Sequence, residues 1–197
     1  MGISKSHTFV IMNYNIDGID ILKLLIEHAS QIAIPKGQIF RREGELNRNV
    51  IFLQSGVVRC YKQLSEFEQK TFMIRWYGQF IASHEAVFFD QPSTYCWEAM
   101  EHSEGFEIDS EILNHLYKNN SEVITARANI LKMMLQEAMT RVETFIFQTP
   151  EQRYKEIFDL NPEVISQIPD KYIASMIGVT LVTVSRIRKR ISTRKSL

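Results

Sequence analysis

Residues 121 to 147 run for 27 residues without a glycine or a proline, and this stretch divides the chain into three parts. Its apolar residues Ile124, Ala128, Leu131, Leu135, Ala138, Val142 and Phe145 recur in alternating steps of four and three. That is the a/d spacing of a coiled-coil seam, so the stretch is predicted as one long helix pairing with a copy of itself in a parallel homodimer. A second stripe through Val123, Ile130 and Met134 is expected to lie on the rest of the chain, leaving the seam to the partner. The helix must end near Gln148, because Pro150 would clash with the turn before it. Thr149, Pro150 and Gln152 then carry the pattern of a capping box, which predicts a separate helix over 149–160 and a boundary at about 148. Pro162 and Pro169 bracket the next connection.

Upstream the texture differs. Residues 31 to 109 hold short β-rich runs such as "QIAI", "VIFLQ", "VVRCY" and "KTFMIRWY", broken at Pro35-Lys36-Gly37, Gly44, Gly56 and Gly78. Many short strands with glycine turns predict a sandwich or barrel. Before them, Ile21, Leu22, Leu24, Leu25 and Ile26 suggest a short helix over 21–27. The fold class is α+β: an N-terminal β domain, a long helix, and an all-α C-terminal domain.

With 45% hydrophobic and 11% aromatic residues in 197, the chain can bury one large core or two modest ones. Its longest stretch free of charged residues, Tyr172 to Ser185, contains Gly178 and falls short of the roughly 20 residues of a membrane span. The opening "MGISKSHTFVI" lacks the features of a signal peptide. "MGISKS" fits an N-myristoylation pattern formally, but a single acyl chain anchors only marginally and no second anchor accompanies it. Cys60 and Cys96, the two cysteines, stand far apart with no CxxC and suit reduced thiols. These readings together place the chain in the cytoplasm, off the membrane.

A formal net charge of zero conceals an asymmetry. Residues 168 to 197 carry seven Lys or Arg against one acid, Asp170, so this tail is +6 and the remainder is −6. Within the tail, "DKYIASMIG" reads as a short helix stopped by Gly178, and Thr180 can cap a second helix over 181–192. Two short helices joined by a glycine turn form a helix-turn-helix. On the second helix Val184, Ile187 and Ile191 share one face and pack inward, while Val182, Ser185, Arg186 and Lys189 share the other. That exposed face suits the major groove of double-stranded DNA. Arg186 can donate two hydrogen bonds to guanine, and Leu181 or Val182 can lie against a thymine methyl. Thr180, Thr183, Arg188 and Lys189 suit phosphate contacts, which position the helix without reading sequence.

In this order the chain resembles the Crp/Fnr superfamily of bacterial transcription regulators, over nearly its whole length. Gly37, Ile39, Gly44, "FLQSGVVRCY" at 52–61 and "GQF" at 78–80 look like that family's cyclic-nucleotide-binding jelly roll. "YIASMIGVTLVTVSRIRKRI" looks like its helix-turn-helix, and "SRIRKR" is similar to Bacteroidetes-type members. The resemblance implies an N-terminal jelly roll as effector domain over 1–120, a dimerisation helix over 121–148 and a winged-helix or helix-turn-helix DNA-binding domain over 149–197. It implies a homodimeric transcription regulator on a palindromic operator, and it leaves room for RNA polymerase as a further partner.

Two departures bear on that implication. Nucleotide-binding members hold the cyclic phosphate with a Glu and an Arg; aligned on "WEA" at 97–99, these positions become Ser83 and Ser93. A half-buried phosphate needs a cation, and none stands there. The long-helix positions that meet the purine fall at Ala138 and Met139, which cannot supply the same hydrogen bonds. The effector pocket would thus involve Ser83, His84, Glu85, Ser93 and Thr94. Cyclic AMP is not the expected ligand, no cofactor is expected, and the effector is unknown. In the reading helix, an Arg and a Glu of the best-known members are replaced by Leu181 and Val182, so the operator should differ.

A metal-dependent cupin-type enzyme or a plain ligand-binding sensor module uses the same scaffold. Cupin metal sites need several His with a carboxylate on neighbouring strands, whereas His84 and Glu85 are adjacent and would point to opposite faces of a strand. His102 and Glu104 could share a face. An iron–sulfur cluster needs about four Cys, more than one subunit has. With no nucleophile–base pair or phosphate-cradling glycine loop, neither an enzyme nor a metal site is expected.

Overall fold

The computed structural model describes residues 15–16, 19–20, 23 and 26–195, with 15–16, 19–20, 126 and 192–195 in backbone only. The start of the chain and most of the helix expected over 21–27 lie outside the described residues. Strands β1 (Asn15–Ile16) and β2 (Ile19–Asp20) pair antiparallel. Strands β3 to β10 then span Ser30–Ile34, Ile39–Arg41, Val50–Ser55, Val57–Gln63, Gln69–Trp76, Phe80–Ile81, Cys96–Ala99 and Ser103–Ile108. They form two four-stranded sheets, in the orders β3-β10-β5-β8 and β4-β9-β6-β7. Pairings of β10 with β3 and β5, of β4 with β9 and of β5 with β8 are antiparallel.

Consecutive strands mostly change sheet, and the turns make that possible. Gly56, at φ +93°, is the single residue between β5 and β6, and a Cβ there would overlap Ser103. Side-chain alternation follows the pleat: on β9, Trp97 and Ala99 are buried while Cys96 and Glu98 are half-buried. Ile51, Leu53, Val58, Cys60, Ile74 and Ile81 are buried with them, while Ile108 forms a separate cluster with Leu113, against which Val50 and Phe80 pack.

The β-rich expectation for residues 31–109 needs one correction. Helix α1 (His84–Phe89) interrupts the strands. Ser83 caps it, its Oγ accepting from the Ala86 N–H at 3.3 Å, and Asp90 ends it in the left-handed conformation. A six-residue run with apolar "AVFF" cannot be told from a strand by periodicity, which is why it was missed.

Helix α2 (Ser110–Asn119) leads to α3 (Ser121–Phe147), the long helix, with the bounds that its composition predicts. Asn120 separates the two: its Oδ1 accepts from the N–H groups of Glu122 at 2.9 Å and Val123 at 3.3 Å. The second stripe packs only at its start. Val123 is buried and Ile130 half-buried, but Met134 is exposed.

Two compact units emerge from the chain. One holds the described residues up to Cys60 together with Ile74–Met134; the other holds Tyr61–Met73 and the chain from Leu135. In the second unit, α4 (Pro150–Leu160) begins with the expected capping box, Thr149 N–H donating to Gln152 Oε1 at 2.9 Å and Gln152 N–H to Thr149 Oγ1 at 3.4 Å. The connection between Pro162 and Pro169 is itself helical, α5 (Pro162–Gln167), because buried Asn161 caps it and Pro162 occupies its first position. Helices α6 (Asp170–Ile177) and α7 (Leu181–Lys195) follow. Among the described residues no strand follows β10, so a β wing has no counterpart there.

Candidate nucleic-acid interface

Gly178 joins α6 to α7 in the conformation that the sequence demands of it. It sits at φ +71°, its N–H donating to Ser175 O at 3.3 Å while Val179 N–H donates to Ala174 O at 2.9 Å. This Schellman-type end uses up the last carbonyls of α6 and turns the chain sharply. Thr180 then caps α7, its Oγ1 accepting from the Thr183 N–H at 3.3 Å and lying 2.9 Å from Thr183 Oγ1. Val184 and Ile187 are buried, together with Ile173, Met176 and Ile177 of α6, and Ile191 is half-buried. The same packing leaves Leu181, Val182, Ser185, Arg186 and Lys189 outward, with Leu181 53% and Val182 56% exposed. Among the described residues no hydrogen bond or ion pair engages the outward Arg186 guanidinium.

Arg188 differs from its neighbours and from its expected role. Its guanidinium donates to the carbonyls of Ile165 and Ile168, each at 3.1 Å, and more weakly to Ser166 at 3.4 Å. Nε lies 2.8 Å from Asp170 Oδ1, and the group sits over the Tyr154 ring at 5.9 Å. These are carbonyls at the C-terminal end of α5, left without intrahelical donors, and a cation there is doubly favourable. Arg188 therefore fastens α7 to α5. Arg190 lies 3.3 Å from Glu151 on α4. The side chains of Arg194 and Lys195 fall outside the described residues.

The face of α3 carrying the heptad seam is open. Ile124, Leu131, Leu135 and Val142 are exposed, Leu135 by 64%, and so are Ala128 and Ala138. Met134 and Met139 flank the seam and widen the apolar strip. Phe145 has intrachain neighbours besides: Arg153 lies over its ring at 4.9 Å, Arg141 at 5.8 Å, and Gly178 abuts it so closely that a Cβ would come 3.0 Å from Cε1. Within the same unit Arg141 also covers the Phe72 ring at 5.0 Å and donates to Met176 O at 3.3 Å, while the Thr71 N–H donates to Ser175 Oγ at 2.8 Å. The end of the β6–β7 hairpin, the end of α3 and the end of α6 are thereby tied together.

In the β unit, four of the five residues expected at an effector pocket, Ser83, His84, Glu85 and Thr94, are brought together around a carboxylate. Glu85 Oε1 accepts from Thr94 Oγ1 at 2.6 Å and from the Thr94 N–H at 3.3 Å, and Oε2 accepts from Ser83 Oγ at 3.0 Å. His84 Nδ1 stands 3.3 Å from Oε2, so these neighbours converge rather than diverge; the expectation of opposite strand faces fails because both sit in the first turn of α1. Ser93 turns away, its Oγ donating to Tyr95 O at 3.0 Å. Burial alone would raise the Glu85 pKa, but hydrogen bonds from Thr94, its own backbone amide and Ser83, with the charge of His84, outweigh it and hold the carboxyl below the ordinary value. Buried Arg59 pairs with Glu98 Oε2 at 2.6 Å. Among the described residues no group of three or more His, Cys, Asp or Glu could hold a metal ion, and no helix is long and apolar enough to cross a membrane.

No protein-family profile matches the sequence, and neither does any curated relative. Solved structures match over most of the chain. FixK2 from Bradyrhizobium japonicum is 17% identical, with 85% of this chain and 86% of that one covered at a TM-score of 0.73. CLP of Xanthomonas campestris, described as a c-di-GMP responsive global regulator, is 14% identical over 88% and 91% with a TM-score of 0.66. A protein from Eubacterium rectale described as a transcriptional regulator of the Crp/Fnr family is 16% identical over 89% and 84% with a TM-score of 0.64. At such identities the likeness is one of architecture, and the chain has the α+β fold of the Crp/Fnr-type transcription regulators.

Proposed function

We propose that this protein is a cytoplasmic DNA-binding transcription regulator that acts as a homodimer on a palindromic operator through α7, and not as an enzyme. The observation that carries the reading is the outward stripe of Leu181, Val182, Ser185, Arg186 and Lys189, held rigidly by buried Val184 and Ile187 in a segment of net positive charge. A solvated helix face has no need of two exposed aliphatic residues beside arginine and lysine; a groove-reading face does. The open seam of α3 supports the dimer, since an apolar strip of this length is unfavourable in water and a copy of itself covers it. On this reading residues 1–120 are an effector domain of jelly-roll type, 121–148 the dimerisation helix and 149–197 the DNA-binding domain, with RNA polymerase as a further partner.

Cyclic AMP is not its effector. The cradle that would need a cation is instead occupied by the Glu85 carboxylate, which takes up the donors of Ser83 and Thr94 and would repel a phosphate. Sedimentation combined with selection of genomic fragments by the purified protein tests the whole reading. A dimer selecting a two-fold symmetric site, half-sites about 34–36 Å apart, is expected. A monomer binding all duplexes alike would overturn it, and a rise of several degrees in Tm with millimolar cyclic AMP would overturn the effector statement.

A further inference from the structure

We propose that Leu181 and Val182 read thymine methyl groups, so that each operator half-site is defined by thymine opposite the first turn of α7. The proposal rests on the DNA-binding reading above and adds what the face recognises. Both side chains are more than half exposed, and neither serves the fold, because the inward positions of α7 are taken by Val184, Ile187 and Ile191. Valine is also a weak helix former, so propensity gives no reason for it. Neither side chain can donate or accept a hydrogen bond. Among the groups that base edges present in the major groove, the thymine C5-methyl is the apolar one, and these residues stand on the N-terminal turn, the part of a reading helix that meets the bases. The occupant is a polyanion by charge complementarity: no acidic residue follows Asp170, while Arg186 and Lys189 lie outward on the same face.

Discrimination follows from what the aliphatic groups cannot do. A cytosine there would bury its amino donor without a partner, and a purine would do the same to its N7 acceptor, whereas thymine, whose O4 is also an acceptor, offsets that cost by meeting the aliphatic groups with its methyl. Spacing follows too. Arg186 comes four residues after Val182, about 6 Å along the axis at 1.5 Å per residue. With base pairs about 3.4 Å apart, the thymine under Val182 lies about two base pairs from a guanine under Arg186.

The test uses the full chain and a selected operator in which each thymine is replaced in turn by deoxyuridine, which removes the methyl and leaves pairing intact. Replacement under the first turn should weaken binding about three- to fivefold per methyl, and replacement elsewhere should leave it unchanged. 5-Methylcytosine in place of cytosine at the same position should recover part of the loss. The double variant Leu181→Ala, Val182→Ala, at exposed positions and checked for an unchanged melt, should lose the thymine-over-uracil preference while still binding DNA. An operator bound tightly but indifferent to every deoxyuridine, or a variant that keeps the preference, overturns the methyl reading alone. Absence of any sequence selection overturns the DNA-binding reading instead.

Discussion

Replacing Arg188 by alanine should damage the fold and spare the DNA contacts, the reverse of what its place in a basic run suggests. The two carbonyl contacts at 3.1 Å are charge-assisted, and a bond of this kind contributes about 1.5–3 kcal/mol, with the buried carbonyls then left unmet. The Asp170 pair adds little, about 0–1 kcal/mol, because both side chains keep more than a quarter of their surface in water. Arg188→Ala should therefore cost about 3 kcal/mol, which lowers Tm by on the order of 10 °C for a chain of this size. The same substitution exposes Tyr154 to a second readout. Burial raises its pKa, Arg188 opposes that and Asp170 adds to it, so the variant should titrate at still higher pH. Because a raised tyrosine pKa favours the folded state below about pH 10 and loses that advantage as pH rises through the folded value, the alkaline limb of the melt should shift as well. Circular dichroism melts of Arg188→Ala beside Lys189→Ala, with operator affinity at several salt concentrations well below Tm, provide the assay. Lys189→Ala should melt like the parent and reduce the salt slope by about 0.9 for the lost phosphate contact; Arg188→Ala should do the opposite. A fully stable Arg188→Ala with a reduced salt slope would falsify the fastening role.

Three further outcomes follow from other sites. Glu85→Gln should cost about 1–2 kcal/mol at neutral pH, and should remove part of the parent's loss of stability as pH falls through the depressed carboxyl pKa; denaturant titrations between pH 3 and pH 7, about the carboxylate range, would show it. Gly178→Ala places a side chain at φ +71° and against Phe145, so it should destabilise by about 1–2 kcal/mol, read as a lower denaturation midpoint with unchanged cooperativity. Leu131→Glu with Leu135→Glu would bury unpaired charges in the seam at a cost of several kcal/mol, and analytical ultracentrifugation should find the monomer; a persistent dimer would place the interface elsewhere.

What the sequence determined by itself is whatever rests on local chemistry. The 27-residue helix, its end before Pro150, the capping box at Thr149, the left-handed turn at Gly178 and the inward Val184 and Ile187 all follow from periodicity, caps and φ preferences, which neighbours in sequence suffice to set. The outward face of α7 was legible for the same reason, since burying one side of a helix dictates the other. Short elements escaped, because six residues of α1 or α5 hold too little periodicity to show their class, although the Asn161-Pro162 pair was a readable start signal. The tertiary structure alone decided the partners of the long polar side chains. Arg188 and Lys189 are both basic and adjacent, yet a 100° step around the helix aims one at the α5 carbonyls and places the other on the exposed face. Likewise nothing local says that Thr94 should reach back nine residues to Glu85 and turn a pocket expected to want a cation into one that already holds an anion. Side chains with several rotatable bonds settle on whatever acceptor the fold brings within 3 Å, and that choice is a property of the assembled chain.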